Sequence, residues 1–341
     1  MKPLLLTSNA PSSPASPPAP RTDFLELAHL LDADILYAEK GSGWIAMLEE
    51  KTASDWRQAY NARRYNPSVY ISLSEKVGLP LALRGTGKTP HILIAHNLTS
   101  PRKMQFQQWF RYLNRFARIL VLCREQERYL LKDVGISPEK VHFLYDKVDS
   151  SFWNPHLATA TPHSGGRVLS VGRERRDYET LIASANYLPS VSFHIVASSP
   201  WSRQQGQNDT RVLPSNVTLH RGLAWSELRN LYTSADVVVV PLEPGTRYAA
   251  GVNAVLEAMA MGKPLIVTET PGIRDYLTSQ ETGLWVPAGD PEALAKAIQH
   301  LQNCPEESVR LGRNAHQVVQ SGRNLDRYLQ EIVAIVREVV A

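Results

Sequence analysis

Val237–Tyr276 reads VVVVPLEPGTRYAAGVNAVLEAMAMGKPLIVTETPGIRDY. Val237–Leu242 is a continuous apolar, largely β-branched run, the pattern of a parallel strand buried on both faces. Pro244 and Gly245 break that pattern. Gly251 and Asn253 open a predicted helix of good formers, and Gly262 stands where a C-cap belongs. Pro264–Thr268 reads as the next strand, and Pro271–Gly272 as a turn. In an open parallel sheet, ligands bind outside the carboxyl ends of the strands. A helix N-terminus at that edge offers backbone N–H groups and a partial positive charge, which suits a phosphate. Glycine at 251 lets that backbone approach a ligand closely. Glu257 lies in an otherwise apolar stretch (Val255, Leu256, Ala258, Met259, Ala260), so its carboxylate needs a partner. A pair of vicinal hydroxyls is a good one.

With Gly251–Asn253 before it and Leu265–Gly272 after it, the run Leu256-Glu257-Ala258-Met259-Ala260-Met261-Gly262-Lys263-Pro264 resembles the nucleotide-sugar motif of GT-B glycosyltransferases of the family-4, or group 1, type. Those enzymes commonly carry Glu, seven residues, Glu, then Ala-Met-Ala-x-Gly-Lys-Pro. The resemblance implies that Glu257 holds the donor ribose hydroxyls. The first glutamate of the pattern would fall at 249, where this chain has Ala249. A residue usually placed near the donor sugar is therefore missing.

A length of 341 residues predicts two domains, and 43% apolar residues suffice for two cores. A charged fraction of 21% excludes an acidic or basic disordered chain. Cys123 and Cys304 are far apart, form no disulfide framework and show no metal-ligand spacing, which fits a reducing compartment. No apolar run reaches the ~18–20 residues of a membrane span, and the short leucine run at the start is too short for a signal-peptide core. The expected location is the cytoplasm, with peripheral contact at the inner face of the membrane left open. Charge is uneven. Residues 1–155 hold 20 basic and 15 acidic side chains (+5), and the remainder 17 and 18 (−1). The first half favours an anionic partner or a membrane surface, or simply presents a soluble basic face.

In that half, Lys2–Thr7 reads as a strand, Phe24–Leu31 as a helix capped by Thr22 or Asp23, and Ile35–Ala38 as a second strand. The Pro-, Ser- and Ala-rich segment Asn9–Pro20 thus falls at the ligand-bearing edge, either as an acceptor lid or as a disordered insertion. Trp44–Tyr65 reads as helical, with Trp44, Met47 and Leu48 on one side. Gly85-Thr86-Gly87-Lys88-Thr89 is not a phosphate loop, because Pro90 and the strand His91–Ala95 follow where a helix should. His96 falls just past the carboxyl end of that strand, where functional groups collect. The resemblance implies a histidine there, near the donor sugar; a hydrogen-bonded structural histidine is the alternative. Asn97, Thr99 and Ser100 could add hydrogen bonds, or Ser100 could cap the next helix. Pro101–Phe116 reads as that helix, with Phe106, Trp109, Phe110, Leu113 and Phe116 toward the core. Arg111, Arg115 and Arg118, with Arg102 and Lys103 nearby, form a basic face suited to a phosphate-bearing acceptor, to lipid headgroups or to water.

Lys140–Asp149 resembles the segment that closes the first GT-B domain; Val148-Asp149 is kept, and Asp146-Lys147 replaces Asn-Gly. Arg167–Val171 reads as the first strand of the second domain and runs into Gly172-Arg173-Glu174-Arg175-Arg176-Asp177. The family has Gly-Arg here and a lysine several residues on, both holding the diphosphate. Arg173 matches; the lysine is missing, and Arg175 or Arg176 either substitutes or is surface charge. Ser198-Ser199-Pro200 stands where the family has a glycine-rich turn, and Gly222-Leu223 matches a turn whose backbone meets the base. Thr282–Pro287 reads as the last strand, Asp290–Leu301 as an amphipathic helix, and Leu325–Val340 as a final helix that the resemblance returns to the first domain.

The expected fold is α/β of GT-B architecture: two Rossmann-like domains with parallel sheets facing a central cleft. Residues 1–155 would form the acceptor domain, 156–323 the donor domain, and 324–341 the returning helix. The expected activity is sugar transfer from a nucleoside diphosphate sugar to an acceptor hydroxyl, retaining, with no cofactor and no metal. Donor-binding candidates are Arg173, Gly222, Leu223, Gly251, Val252, Asn253 and Glu257; catalytic candidates are His96 and Arg173. Arg173 and the helix start would stabilise the leaving diphosphate, and no residue stands out as a general base. The donor partner is a nucleotide sugar; the acceptor is unidentified, with anionic and lipid-linked acceptors both open; no nucleic acid is expected. The alternatives are a catalytically weak nucleotide-binding module, which Ala249 and the absent lysine favour, and a nucleotide-sugar 2-epimerase-like enzyme.

Overall fold

The computed structural model describes residues 1–8, 18–39, 42–162, 166–197 and 213–341. Most of the proline-rich segment 9–20 and all of 198–200 lie outside the described residues. The chain forms two units. One takes the first strand, Arg21–Tyr145 and Asp326–Ala341; the other takes Asp146–Leu325.

The first unit runs β1 (Leu4–Thr7), α1 (Asp23–Leu31), β2 (Asp34–Tyr37), α2 (Gly43–Thr52), α3 (Trp56–Ala62), β3 (Tyr70–Ser72), α4 (Glu75–Arg84), β4 (His91–Ala95), α5 (Pro101–Phe110), β5 (Arg118–Val121), α6 (Arg124–Arg128) and β6 (Val141–Phe143). Its six strands pair in parallel in the order β2-β1-β3-β4-β5-β6. Leu4, Leu5, Leu6 and Ile92–Ala95 are buried, as expected of strands covered on both faces. The order reverses between β1 and β3, which makes the carboxyl ends of these strands the switch point of this sheet.

Two helical regions of this unit differ from expectation. The helix opening at Pro101 stops at Phe110, because Arg111 takes a left-handed φ of 44° and Tyr112–Arg115 tightens into a 3-10 turn. Leu113 and Phe116 are buried as expected, but Trp109 is 67% and Phe110 48% exposed. The 3-10 turn rotates the later residues inward and leaves these two aromatics outside. The Trp44–Tyr65 region is two helices, broken where Ala53 adopts a φ of 50°. Nothing in α2 is buried, and Trp44 and Met47 are each 72% exposed. The helix after Cys123 is short: α6 gives way to a π-turn over Tyr129–Val134.

The second unit runs β7 (Arg167–Val171), α7 (Tyr178–Ala185), β8 (Ser192–Val196), β9 (Val217–His220), α8 (Trp225–Ser234), β10 (Val237–Val240), α9 (Val252–Ala260), β11 (Leu265–Thr268), β12 (Leu284–Val286), α10 (Pro291–Asn303) and α11 (Pro305–Gly322). All six strands are parallel, in the order β12-β11-β10-β7-β8-β9. The four valines of β10 are all buried beside β7 and β11. α12 (Leu325–Val340) then belongs with the first unit, where Arg21 holds Asp326 at 2.8 Å and Arg118 pairs with Glu338.

Candidate functional site

β7 and β10 are neighbours, but the chain leaves them in opposite directions: β8 and β9 lie on one side, β11 and β12 on the other. Loops at the carboxyl ends of such a strand pair separate and leave a crevice. Here the loop Gly172–Asp177 follows β7 and the loop from Pro241 to Gly251 follows β10. The two are laced together. Arg176 forms an antiparallel bridge with Leu242, the Asp177 N–H donates to the Pro241 carbonyl at 3.1 Å, and the Glu243 N–H donates to that of Arg175 at 3.0 Å.

Arg176 occupies the middle of this arrangement. Its Nε and Nη2 donate to the Val171 carbonyl at 3.1 and 3.0 Å, and Nη1 donates to that of Glu174 at 2.9 Å. Gly172 takes a φ of 111°, and a Cβ there would stand 2.3 Å from Nη2; only glycine admits the guanidinium. A Cβ on Gly251, at φ 86°, would stand 3.2 Å from Nη1. The guanidinium therefore sits beside the residue that caps the start of α9, adding a full charge to the partial charge of the helix end.

Glu257 lies further along α9 and is 8% exposed. The Tyr232 hydroxyl, from α8, donates to Glu257 Oε2 at 2.8 Å. Burial raises the Glu257 carboxyl to about 7, against the opposing pull of the Tyr232 hydrogen bond and the Arg176 charge. Burial also lowers Arg176, offset by Tyr178, Tyr232, Glu174 and Glu257. The Tyr178 hydroxyl donates to the Gly172 carbonyl, and burial pushes it up to about 12. The buried Tyr232–Glu257 pair and the half-buried Arg176 thus lie at the switch point. A ligand arriving there meets a cation held by backbone carbonyls and, further along α9, a carboxyl held by Tyr232.

The structure brings Gly251, Val252, Asn253 and Glu257 together on one helix. Arg173 is exposed in the loop that carries Arg176. Arg175 is also exposed and pairs with Glu243 at 2.7 Å. Gly222, at φ 65°, and Leu223 follow β9, at the same sheet edge but beyond β8 from β7. Ala249 is buried, and its carbonyl accepts the Val252 N–H at 3.3 Å. Sequence reasoning left Arg176 between two roles and did not reach Tyr232 or Tyr178. The only sequence signal for Arg176 was a third cation within five residues of the end of β7.

In the first unit, His96 is exposed at the carboxyl end of β4, with Nε2 donating to the Leu73 carbonyl at 3.0 Å. Its loop is braced: the Gln126 amide donates to the His96 carbonyl at 3.1 Å and accepts the Leu98 N–H at 2.6 Å, while Glu75 accepts the Asn97 N–H. Lys103 donates to the Asn97 carbonyl at 2.5 Å. At the end of β1, Ser8 Oγ donates to Asp55 at 2.5 Å and lies 3.3 Å from Ser74 Oγ. Gly85–Thr89 joins α4 to the amino end of β4, the edge opposite His96, and no helix follows it.

Residues 166–303 match the family model described as Glycosyl transferases group 1. A lipopolysaccharide core biosynthesis glycosyltransferase, LpsE of Rhizobium meliloti (strain 1021), is 27% identical over 333 residues, covering 89% of this chain and 93% of that protein. Among solved structures, a sucrose-phosphate synthase from Thermosynechococcus elongatus superposes with a TM-score of 0.76 at 21% identity, covering 99% of both chains. Anabaena HepE in complex with UDP-glucose superposes with a TM-score of 0.75 at 16% identity, covering 99% of this chain and 100% of that one. Among the described residues, no helix is long and apolar enough to cross a membrane.

Proposed function

We propose, from the premise that this chain is a group 1 glycosyltransferase of the GT-B fold, that it moves a hexose from a nucleoside diphosphate sugar to an acceptor hydroxyl, with retention and without a metal ion. The half-buried Arg176 beside the glycine-capped start of α9, with the buried Tyr232–Glu257 pair further along that helix, carries this reading. Leaving-group departure builds negative charge on the diphosphate, and prearranged cations and N–H groups stabilise it most where water is excluded. Arg176, Arg173 and the first turn of α9 would supply that field in place of a divalent ion. Glu257 would accept hydrogen bonds from the ribose hydroxyls. The Gly222-Leu223 backbone would meet the base.

HepE, of the same fold, is described in complex with UDP-glucose and with UDP, so UDP-hexoses lead the donor panel. The test is a thermal-shift series with UDP, GDP, ADP and their sugars on wild type and Glu257→Gln, followed by product analysis. One nucleotide at a hundred times its dissociation constant should stabilise the wild type by about 2.7 kcal/mol, with most of that gain lost in the variant. The product should keep the donor's anomeric configuration, and chelator should leave the rate unchanged. No stabilisation by any nucleotide would replace the enzyme with a binding module of other specificity; an inverted product or chelator inhibition would overturn the mechanism.

The acceptor is proposed to be lipid-linked or anionic. Trp109 and Phe110 are exposed beside Arg111, at the end of the helix whose first turn carries Arg102 and Lys103. Aromatics interleaved with cations suit the headgroup region of an anionic bilayer. Co-sedimentation with phosphatidylglycerol vesicles, reduced in a Trp109→Ala, Phe110→Ala variant, checks this.

A further inference from the structure

Cys304 is the joint between α10 and α11: it follows Asn303 and precedes Pro305, the first residue of α11. Its φ of −120° and ψ of 70° turn the chain between the two helices. His300 lies in the last turn of α10 and Glu307 in the first turn of α11. The joint therefore gathers three different donor types within eight residues. His300 Nδ1 stands 3.8 Å from Cys304 Sγ, and His300 Nε2 stands 2.8 Å from Glu307 Oε2. One ligand atom from each of the three falls within 4.8 Å of the others. A tetrahedral zinc ion with bonds of about 2.0 to 2.3 Å holds its ligands roughly 3.4 to 3.7 Å apart. The two contacts use opposite ring nitrogens of His300, so an ion would take one of them, and the imidazole would turn to bring Cys304 and Glu307 to the same side.

We propose that His300, Cys304 and Glu307 bind a zinc ion, with water as the fourth ligand. Sulfur with imidazole selects a borderline-soft ion over magnesium or calcium. The thiol loses its proton on binding, and the thiolate and carboxylate together balance the charge of a divalent cation. His300 and Glu307 are 49% and 27% exposed, so an ion has access and a water position stays open. Among the described residues no other three side chains of these types approach one another in this way.

The site is remote from the switch point. α10 starts after β12, at the carboxyl edge of the sheet, and its thirteen residues carry the chain about 20 Å toward the opposite edge. The ion would therefore act on the fold and not on sugar transfer. It would staple α10 to α11, and α11 in turn packs on the end of α9, where a Cβ on Gly312 would meet the Gly262 carbonyl at 2.2 Å. Paired-cysteine spacing misses this set because it draws one ligand from each of three residue types.

The test uses the full chain without an affinity tag, stripped with chelator and then titrated with zinc against a chromophoric competitor and with cobalt by absorption. One ion per chain is expected, with a cobalt–thiolate charge-transfer band and tetrahedral d–d bands. Cys304→Ser should abolish the charge-transfer band, and Cys304→Ser and His300→Ala should each weaken zinc by at least about tenfold. Cys123→Ser should leave the cobalt band intact. Zinc should raise the melting temperature of the wild type and leave that of Cys304→Ser unchanged, while the metal-free melts of the two coincide. No bound ion in the wild type, or an undiminished thiolate band in Cys304→Ser, would overturn the proposal.

Discussion

Glu257 is the residue whose protonation couples the site to the stability of its unit. Its carboxyl is raised by burial from 4.5 to about 7, so between those values the folded chain holds a proton that the unfolded chain has released. Protons bound more tightly by the folded form mean that stability falls as pH rises through this window. The contribution is complete below about 4.5 and is lost above about 7. Glu257→Gln carries no such proton, so the variant should gain on the wild type as pH rises. Urea denaturation at intervals across the window reads the difference, which grows by about 1.4 kcal/mol for each pH step of one within it; parallel curves for the two proteins would refute the raised carboxyl. Arg176 supplies a second prediction. Its planar fork serves the Val171 and Glu174 carbonyls and still faces Gly251, which a lysine ammonium cannot reproduce. Arg176→Lys should weaken nucleotide diphosphate binding by at least about tenfold, roughly 1.4 kcal/mol, in isothermal titration. The corresponding nucleoside should bind the variant as it binds the wild type.

At the level of elements, the packing of α11 on α9 turns on Gly312, and here helix propensity and contact oppose one another. Alanine in a helix interior is better than glycine by about 0.8–1.0 kcal/mol. At 312 its Cβ would meet the Gly262 carbonyl oxygen at 2.2 Å, a backbone atom that cannot swing aside. Overpacking of this kind costs about 1–3 kcal/mol, so Gly312→Ala should lower the urea midpoint of the second unit despite the better propensity. The same contrast between local signal and contact explains what the sequence made legible. The strands and the run from β10 through α9 to β11 could be read because their apolar continuity and turn residues are local. The early end of α5 could not, because nothing in Arg111 announces a left-handed backbone. The exposure of Trp44 and Trp109 was equally hidden, since helical spacing predicts a face and not what covers it. α11 went unseen because its buried face is thin, carried by Leu311, Gly312, Ala315 and Val319 between polar residues. In the site, Gly251 and Glu257 followed from the motif. Tyr232 and the placement of Arg176 depend on α8 and on the loops after β7 and β10 meeting, which sequence order does not display.

At the scale of the whole molecule, the first unit is made from chain separated by the entire second unit. α12 supplies it with Leu329, Ile332 and Val336, all buried, and with the Arg118–Glu338 and Arg21–Asp326 pairs. Burying an aliphatic side chain contributes about 1.5–3 kcal/mol, comparable in sum to the whole stability of a domain. Removal of residues 326–341 should therefore unfold the first unit and leave the contiguous second unit folded. Limited proteolysis of the truncated chain should yield a resistant fragment spanning 146–325; equal resistance of residues 21–145 would refute this. The same layout sets a timetable. Nascent chains emerge at about 5–20 residues per second, and domains usually fold in the order in which they appear. Here residues 146–325 are all present before the closing helix of the first unit has been made. The ribosome thus releases the unit bearing the proposed donor site ready to fold, while the half that began first waits for its last piece. A chaperone that shields exposed apolar surface would find its client in the earlier-made half.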